Sequence, residues 1–349
     1  MRAWQWKALL AGTFLFVLLT WLVLITISDS IDVELAGSYD TQGNARGVSV
    51  MGDYVYVADE YEGLAIVDIS NPNKPQLAGI FNTSGVANNV AIKGDFAYVA
   101  DGWSGLTVLN ISNPTEPKFA GAYNTSDYSL DVTVLGNYAY IADNDAGLVV
   151  LDISDPTNPQ WISSYNTSGV AVAVTVVNNY AYIADGDTGL TLLDISNPTN
   201  LSWVSDYDTS GFALGVSVAG GKAYIADSSA GLVVLDISNL PEIRWISGYD
   251  TDGYARGVVV IGDYAYVAAL DSGLIVLDVS DINDIQKIGS YDTGGSAFNV
   301  ALAGNYVYIA DFDAGLNVLE IRENRNISAP SLPAVLMILL AVATRLRRQ

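Results

Sequence analysis

An all-β, seven-bladed β-propeller of four-stranded blades is the fold this sequence predicts, and three observations predict it. A Gly-Leu pair recurs at Gly63, Gly105, Gly147, Gly189, Gly231, Gly273 and Gly315, always 42 residues after the last. An aromatic followed by Asp or Asn and then Thr recurs with the same step at Tyr39, Phe81, Tyr123, Tyr165, Tyr207, Tyr249 and Tyr291. Each unit holds four apolar runs of about 4–8 residues, rich in Val, Ile, Tyr and Leu and bounded by Gly, Asn, Asp or Pro, which is the pattern of strands separated by turns. Four strands in roughly 40–45 residues make one propeller blade. A linear β-solenoid, the competing architecture, has shorter coils and fewer turn signals.

The chain opens with a basic start (Arg2, Lys7) and an apolar run from Ala8 to Ile27. Twenty such residues can span a bilayer, and Thr26 and Ser28 are small residues of the kind found at cleavage sites. Residues 1–28 therefore read as a signal peptide or an N-terminal membrane anchor, with both open. In either case positive charge ahead of the span places the following domain outside the cytoplasm.

The repeat array occupies residues 32–325. Its first aromatic-Asp-Thr segment, Val33 to Thr41, precedes any complete unit, while the last unit ends at Leu316-Asn-Val-Leu-Glu-Ile321 without a fourth strand of its own. The N-terminal strand is thus expected to complete the seventh blade and close the ring, leaving no open sheet edge at the seam. Inside a unit, Leu148 to Leu151 is apolar without alternation. Such a strand should be covered on both faces, as blades stacked around an axis would cover it.

Residues 326–349 differ in composition. A polar linker, Asn326 to Pro333, leads to a short apolar run over Leu332–Ala343 and then Arg345, Arg347 and Arg348. Twelve apolar residues with a proline are short for a span. The tail resembles sorting signals of the archaeosortase and exosortase type, although their Pro-Gly-Phe form is absent. A simple tail anchor or a frayed end is the alternative.

The runs Leu-Val-Val-Leu-Asp-Ile-Ser at Leu148 and Leu232, Leu-Ala-Ile-Val-Asp-Ile-Ser at Leu64 and Leu-Ile-Val-Leu-Asp-Val-Ser at Leu274 resemble the LVIVD repeat of archaeal and bacterial cell-surface proteins. The resemblance covers all seven units. It implies a β-propeller and carries over no catalytic residue. The Gly-His and Trp-Asp signals of WD40 blades are absent.

Composition narrows the function classes. The chain has a net charge of −23, and between Asp32 and Ile321 eight basic residues face 36 acidic ones, a net of −28. Such a surface repels phosphate backbones, so no nucleic-acid partner is expected. Cysteine is absent, and a core of this size needs no disulfides. Histidine is also absent, which removes the commonest general base and metal ligand. Six Asn-x-Ser/Thr sequons, at Asn82, Asn110, Asn124, Asn166, Asn200 and Asn326, are glycan acceptors if the domain is secreted.

Comparing units in register points to a site. Val48, Val90, Val132, Val174, Val216, Val258 and Val300 are identical, as expected of a buried position in the innermost strand. Two and four residues earlier the units diverge, and there Arg46, Arg256, Tyr128, Phe212, Tyr254 and Phe298 are expected to ring the mouth of the central channel as a ligand-binding rim. Drift at a solvated loop is the alternative. On the same face a second loop set carries Asp59, Asp101, Asp143, Asp185, Asp227 and Asp311, with Ala269 breaking the series. Asp143/Asp145, Asp185/Asp187 and Asp311/Asp313 place carboxylates two apart before a glycine, as calcium loops begin. Turn formation by Asp is the competing explanation. No other cofactor is expected.

These features favour a non-catalytic extracellular binding or adhesion scaffold, displayed at the cell surface, anchored to the membrane through its termini and meeting a surface protein or glycan. A structural envelope component packed laterally is the alternative. A carbohydrate-active enzyme using carboxylates on the acidic face is the third reading, and no unit carries the distinctive acid pair such chemistry needs.

Overall fold

The computed structural model describes residues 26–328, with side chains over 30–322. The N-terminal segment up to residue 25 and the tail beyond residue 328 lie outside the described residues. So do the signal, anchor and sorting readings that fall on them, and with them the side chain of Asn326. Val33–Arg322 forms one compact unit, the ring, and the described residues on either side of it belong to a second. Among the described residues no helix is long and apolar enough to cross a membrane.

The ring is seven four-stranded antiparallel sheets. Blades one to six run over 47–81, 89–123, 131–165, 173–207, 215–249 and 257–291. Blade seven joins the strands Asn299–Ala303, Tyr306–Ala310 and Leu316–Ser328 to the N-terminal strand Thr26–Tyr39, in the expected closing arrangement. Both closing strands run further than the sequence suggests, since Thr26 to Asp32 and Arg322 to Ser328 are also extended. At the seam, Arg322 pairs with Glu34 at 3.2 Å. The innermost strands of blades one and seven are neighbours, as are those of every other adjacent pair, so the ring is complete.

Blade three shows why these residues form these strands. Its third strand, Leu148–Asp152, is buried along four of five positions. Leu148 and Val150 face blade four, packing with Val174, Ile183 and Leu193. Val149 and Leu151 face blade two, packing with Tyr98, Leu106 and Val108. An unalternating apolar run is therefore a period-two strand with a hydrophobic neighbour on each face. Each such leucine contributes about 1.5–3 kcal/mol by leaving water.

In blades one to six the outer strand bulges against the third, between Val150 and Leu151 in blade three and at the equivalent positions in the others. Beside the bulge, residues 77, 119, 161, 203 and 245 turn outward: Phe119, Trp161, Trp203 and Trp245 are each more than half exposed, with Leu77 somewhat less so. Lys287 takes the place in blade six.

Candidate functional site

Each blade is entered by a loop that follows the aromatic-Asp-Thr turn. That loop meets the turn between the second and third strands of the blade it enters, so the two loop sets share a face. Their junction is a threonine–aspartate latch. Thr41, Thr83, Thr125, Thr167, Thr209 and Thr293 donate to Asp59, Asp101, Asp143, Asp185, Asp227 and Asp311 at 2.5–2.7 Å, always 18 residues apart. All six aspartates are fully buried. Further donors reach some of them: Thr107, Thr191 and Asn317, six residues on, bond Asp101, Asp185 and Asp311 at 2.8–2.9 Å. Burial pushes Asp59, Asp227 and Asp311 up to about 6. It also raises Asp101 and Asp185. In blade six the acid is absent, and Thr251 bonds the Gly253 carbonyl instead, while Ala269 is buried.

This geometry bears on the calcium reading. In each Asp-x-Asp pair the first carboxylate (Asp143, Asp185, Asp311) is turned inward onto a threonine, and the second (Asp145, Asp187, Asp313) is on the exposed turn. Among the described residues no three or more acidic side chains gather as a metal site would need.

The innermost strands line a central channel of about 400 Å³. The strands that line it turn Val48, Val90, Val132, Val174, Val216 and Val258 into the cores between blades, and the lining is polar at Arg46, Asn88, Asn89, Asp131, Arg256 and Asn299. Of the six expected rim residues, Arg46, Arg256 and Phe298 line this channel. The other three do not. Tyr128 lies against Gly102 and edge-on to Trp103 at 5.2 Å, and Phe212 lies against Gly186, so both cover the turn of the preceding blade. Tyr254 stands out from the face, more than half exposed.

Four side chains from blades six, seven and one form a stack. The Arg256 guanidinium lies 4.1 Å over the Phe298 ring, Phe298 stacks on Phe312 at 4.7 Å, and the Arg46 guanidinium lies 5.8 Å from the Phe312 ring. Arg46 is held further by Glu60 at 2.5 Å and by Asn88 Oδ1 at 3.2 Å, although its buried Nε finds no partner. Arg256 contrasts with it: among the described residues, no acceptor or carboxylate meets its guanidinium. Burial and the nearby charge of Arg46 lower Arg256 to about 10.

Glu60 and Phe312 escaped the sequence reading. They occupy one register position, 60, 102, 144, 186, 228, 270 and 312, whose backbone is left-handed in all seven blades, with φ between 40° and 56°. Gly102, Asn144 and Gly186 suit that conformation. A phenylalanine there, at φ 40°, is strained. Glycine or asparagine at this register was the available signal. Asp131 was missed as well. It is buried in the channel wall, where it accepts from Asn89 and from the N–H groups of Val132 and Val174, tying blades two, three and four together.

The sequons Asn82, Asn124, Asn166 and Asn200 are exposed. Asn110 is half-buried and engaged with Ser112.

The fold is widely shared. The chain is similar to the WD40 repeats of RRP9 (9% identity, TM-score 0.68, covering 85% of this chain and all of that one). It is also similar to the computationally designed protein Ika8 (11%, 0.62, 84% and 100%) and to BamB from Moraxella catarrhalis (18%, 0.52, 82% and 86%). At these identities the likeness is one of fold alone. No curated protein is similar to the chain in sequence. The LVIVD repeat matches residues 42–83, 84–125, 127–167, 168–209, 210–251, 252–293 and 294–339, nearly the whole array, and the chain therefore belongs to the LVIVD repeat family.

Proposed function

We propose that this propeller is a non-catalytic binding scaffold whose ligand is met at the mouth of the central channel, on the face where the latches lie. One observation carries the reading. Where the valine of the inner strand is constant, the positions just before it vary, and blades six, seven and one place there a cationic and aromatic stack that ring closure in the other blades does without. Display outside the cytoplasm, at the cell surface, is part of the proposal. It is supported by the basic-then-apolar start of the chain and by the exposed sequon asparagines. A surface glycan or protein is the partner such a site would serve. The test is a glycan-array and surface-protein binding screen of the full chain beside an Arg46→Ala, Phe298→Ala double variant. Binding lost in the variant supports the channel mouth, and undiminished binding refutes it.

A second reading, lateral packing in the envelope, is favoured by the exposed row Phe119, Trp161, Trp203 and Trp245 on the outer strands of four consecutive blades. Exposed aromatic area of this kind is typical of interaction surfaces. Sedimentation of the full chain in detergent tests it. Assemblies that dissociate on Trp161→Ser with Trp203→Ser support packing through this row, and a monomeric wild type rules it out.

A further inference from the structure

The channel holds two guanidinium groups near each other in a ring with a net charge of −28. Acidic side chains are plentiful, yet only Arg46 has received one, Glu60. The other anion in the channel wall, Asp131, is already engaged by three donors. Arg256 is left with an aromatic face and no acceptor, its fork of donors open to the channel it lines. Arg256 is half-buried, so its fork stays accessible from the channel and a carboxylate entering there would meet a partly desolvated guanidinium.

Stability alone does not account for this arrangement. Equivalent positions in other blades hold Asn88, Leu130, Val172 and Leu214, and the ring closes there equally well. The supporting residues are strained: Glu60 and Phe312 both sit in left-handed backbone where blades two and four use glycine. Strain of this kind tends to persist at functional sites. Glu60 holds Arg46 and Phe312 lies between Arg46 and Phe298, while Ser228 and Leu270 take the same backbone in blades five and six.

Resting on the proposal that the channel mouth binds a ligand, we infer that Arg256, backed by Arg46, receives the carboxylate of a small monocarboxylic acid. A guanidinium matches a planar carboxylate with two parallel hydrogen bonds. The surrounding acidic ring repels multiply charged ligands, which favours a single negative charge over phosphates or polyanions. The Phe298 face suits a small uncharged body on the acid, and about 400 Å³ is the size of a small-molecule site.

The test uses the full chain in detergent with acetate, butyrate, benzoate and glucuronate, the corresponding amides, and inorganic phosphate, followed by calorimetric titration at millimolar concentrations. At least one of the four acids should bind saturably, its amide should not, and Arg256→Gln should weaken the acid about tenfold or more. Arg256→Lys, which keeps the charge and loses the fork, should fall between them, and it decides the matter if Arg256→Gln does not fold. Phe312→Gly, which removes the strain and one layer of the stack, should also weaken the acid. The inference is overturned if no acid binds wild type, if amides or phosphate bind as well as the acids, or if Arg256→Gln leaves binding unchanged. Failure here with rim-dependent partner binding intact would reject the carboxylate and leave the channel-mouth reading standing. Loss of both would reject both.

Discussion

Thr209 Oγ1 donates to Asp227 Oδ1 at 2.6 Å, while Asp227 Oδ2, equally buried, meets no donor. In blades two and four the oxygen corresponding to Oδ2 is met by Thr107 and Thr191, six residues beyond the aspartate. Blade five has Val233 at that position, buried and close to threonine in shape. Val233→Thr should therefore supply the missing donor and stabilise the ring by about 1 kcal/mol at neutral pH. Chemical denaturation of wild type and variant checks this. A destabilised variant would mean that the hydroxyl is not delivered to Asp227.

The latches should also differ in strength by blade. Thr167 donates to a buried carboxylate, and Thr167→Val leaves Asp185 Oδ1 short of its partner. The expected cost is about 1.5–3 kcal/mol, the range for hydrogen bonds to charged groups. Thr251, whose aspartate is replaced by Ala269, bonds only the Gly253 carbonyl. Thr251→Val should cost about 1 kcal/mol or less. Equal losses in parallel unfolding curves would show that the carboxylate adds nothing.

Both halves of the latch were visible in the sequence as separate motifs, the threonine in one and the aspartate in the other. That they are partners was not. A surface turn and a buried acceptor both call for aspartate, and only burial separates them. The number of blades and the closing strand were legible because a ring repeats the same packing problem seven times, so one register governs every unit. The channel site was half legible. Arg46, Arg256 and Phe298 appeared as departures in the inner-strand register, whereas Phe312 and Glu60 depart in a turn register defined by a left-handed backbone rather than by a motif. Tyr128 and Phe212 varied like rim residues but cover the preceding blade, since a loop side chain can lie sideways as easily as inward.

Stability should depend on pH in a bell-shaped way. Burial raises Asp59, Asp227 and Asp311 from 3.8 to about 6, so the folded chain holds more protons than the unfolded one between those values. Stability contributed by these groups is then present below about 3.8 and is lost as pH rises through about 6. Asp68, Asp152, Asp155, Asp194 and Asp236 act oppositely. Hydrogen bonds from the hydroxyl and N–H of the residue two positions on hold them below 3.8, so their contribution is present above that value and lost in stronger acid. The melting temperature should rise as pH falls from 7 to about 5, peak near 4–5, and then decline. Asp227→Asn should flatten the neutral limb; a wild-type melting temperature that is constant from pH 5 to 7 would contradict the buried carboxylates.

The Gly-Leu pair makes the sharpest prediction about the repeat itself. Gly147 has φ 77°, and an added Cβ would press on the backbone of Tyr165 and Thr167. It thus meets both a left-handed conformation and a close approach of the end of its own blade's outer strand. Gly136, in the hairpin turn on the opposite face, has φ 57° with open space around the same point. Gly136→Ala should cost only the conformational term, about 1 kcal/mol. Gly147→Ala adds a clash with backbone that cannot move without shifting the strand pairing Leu148 to Tyr165, and should cost about 3 kcal/mol or more. Urea midpoints of the two variants separate the cases: the gap between them measures how tightly the motif's glycine is held by its neighbour, and a gap near zero would leave only the left-handed backbone to explain why the residue recurs every 42 positions.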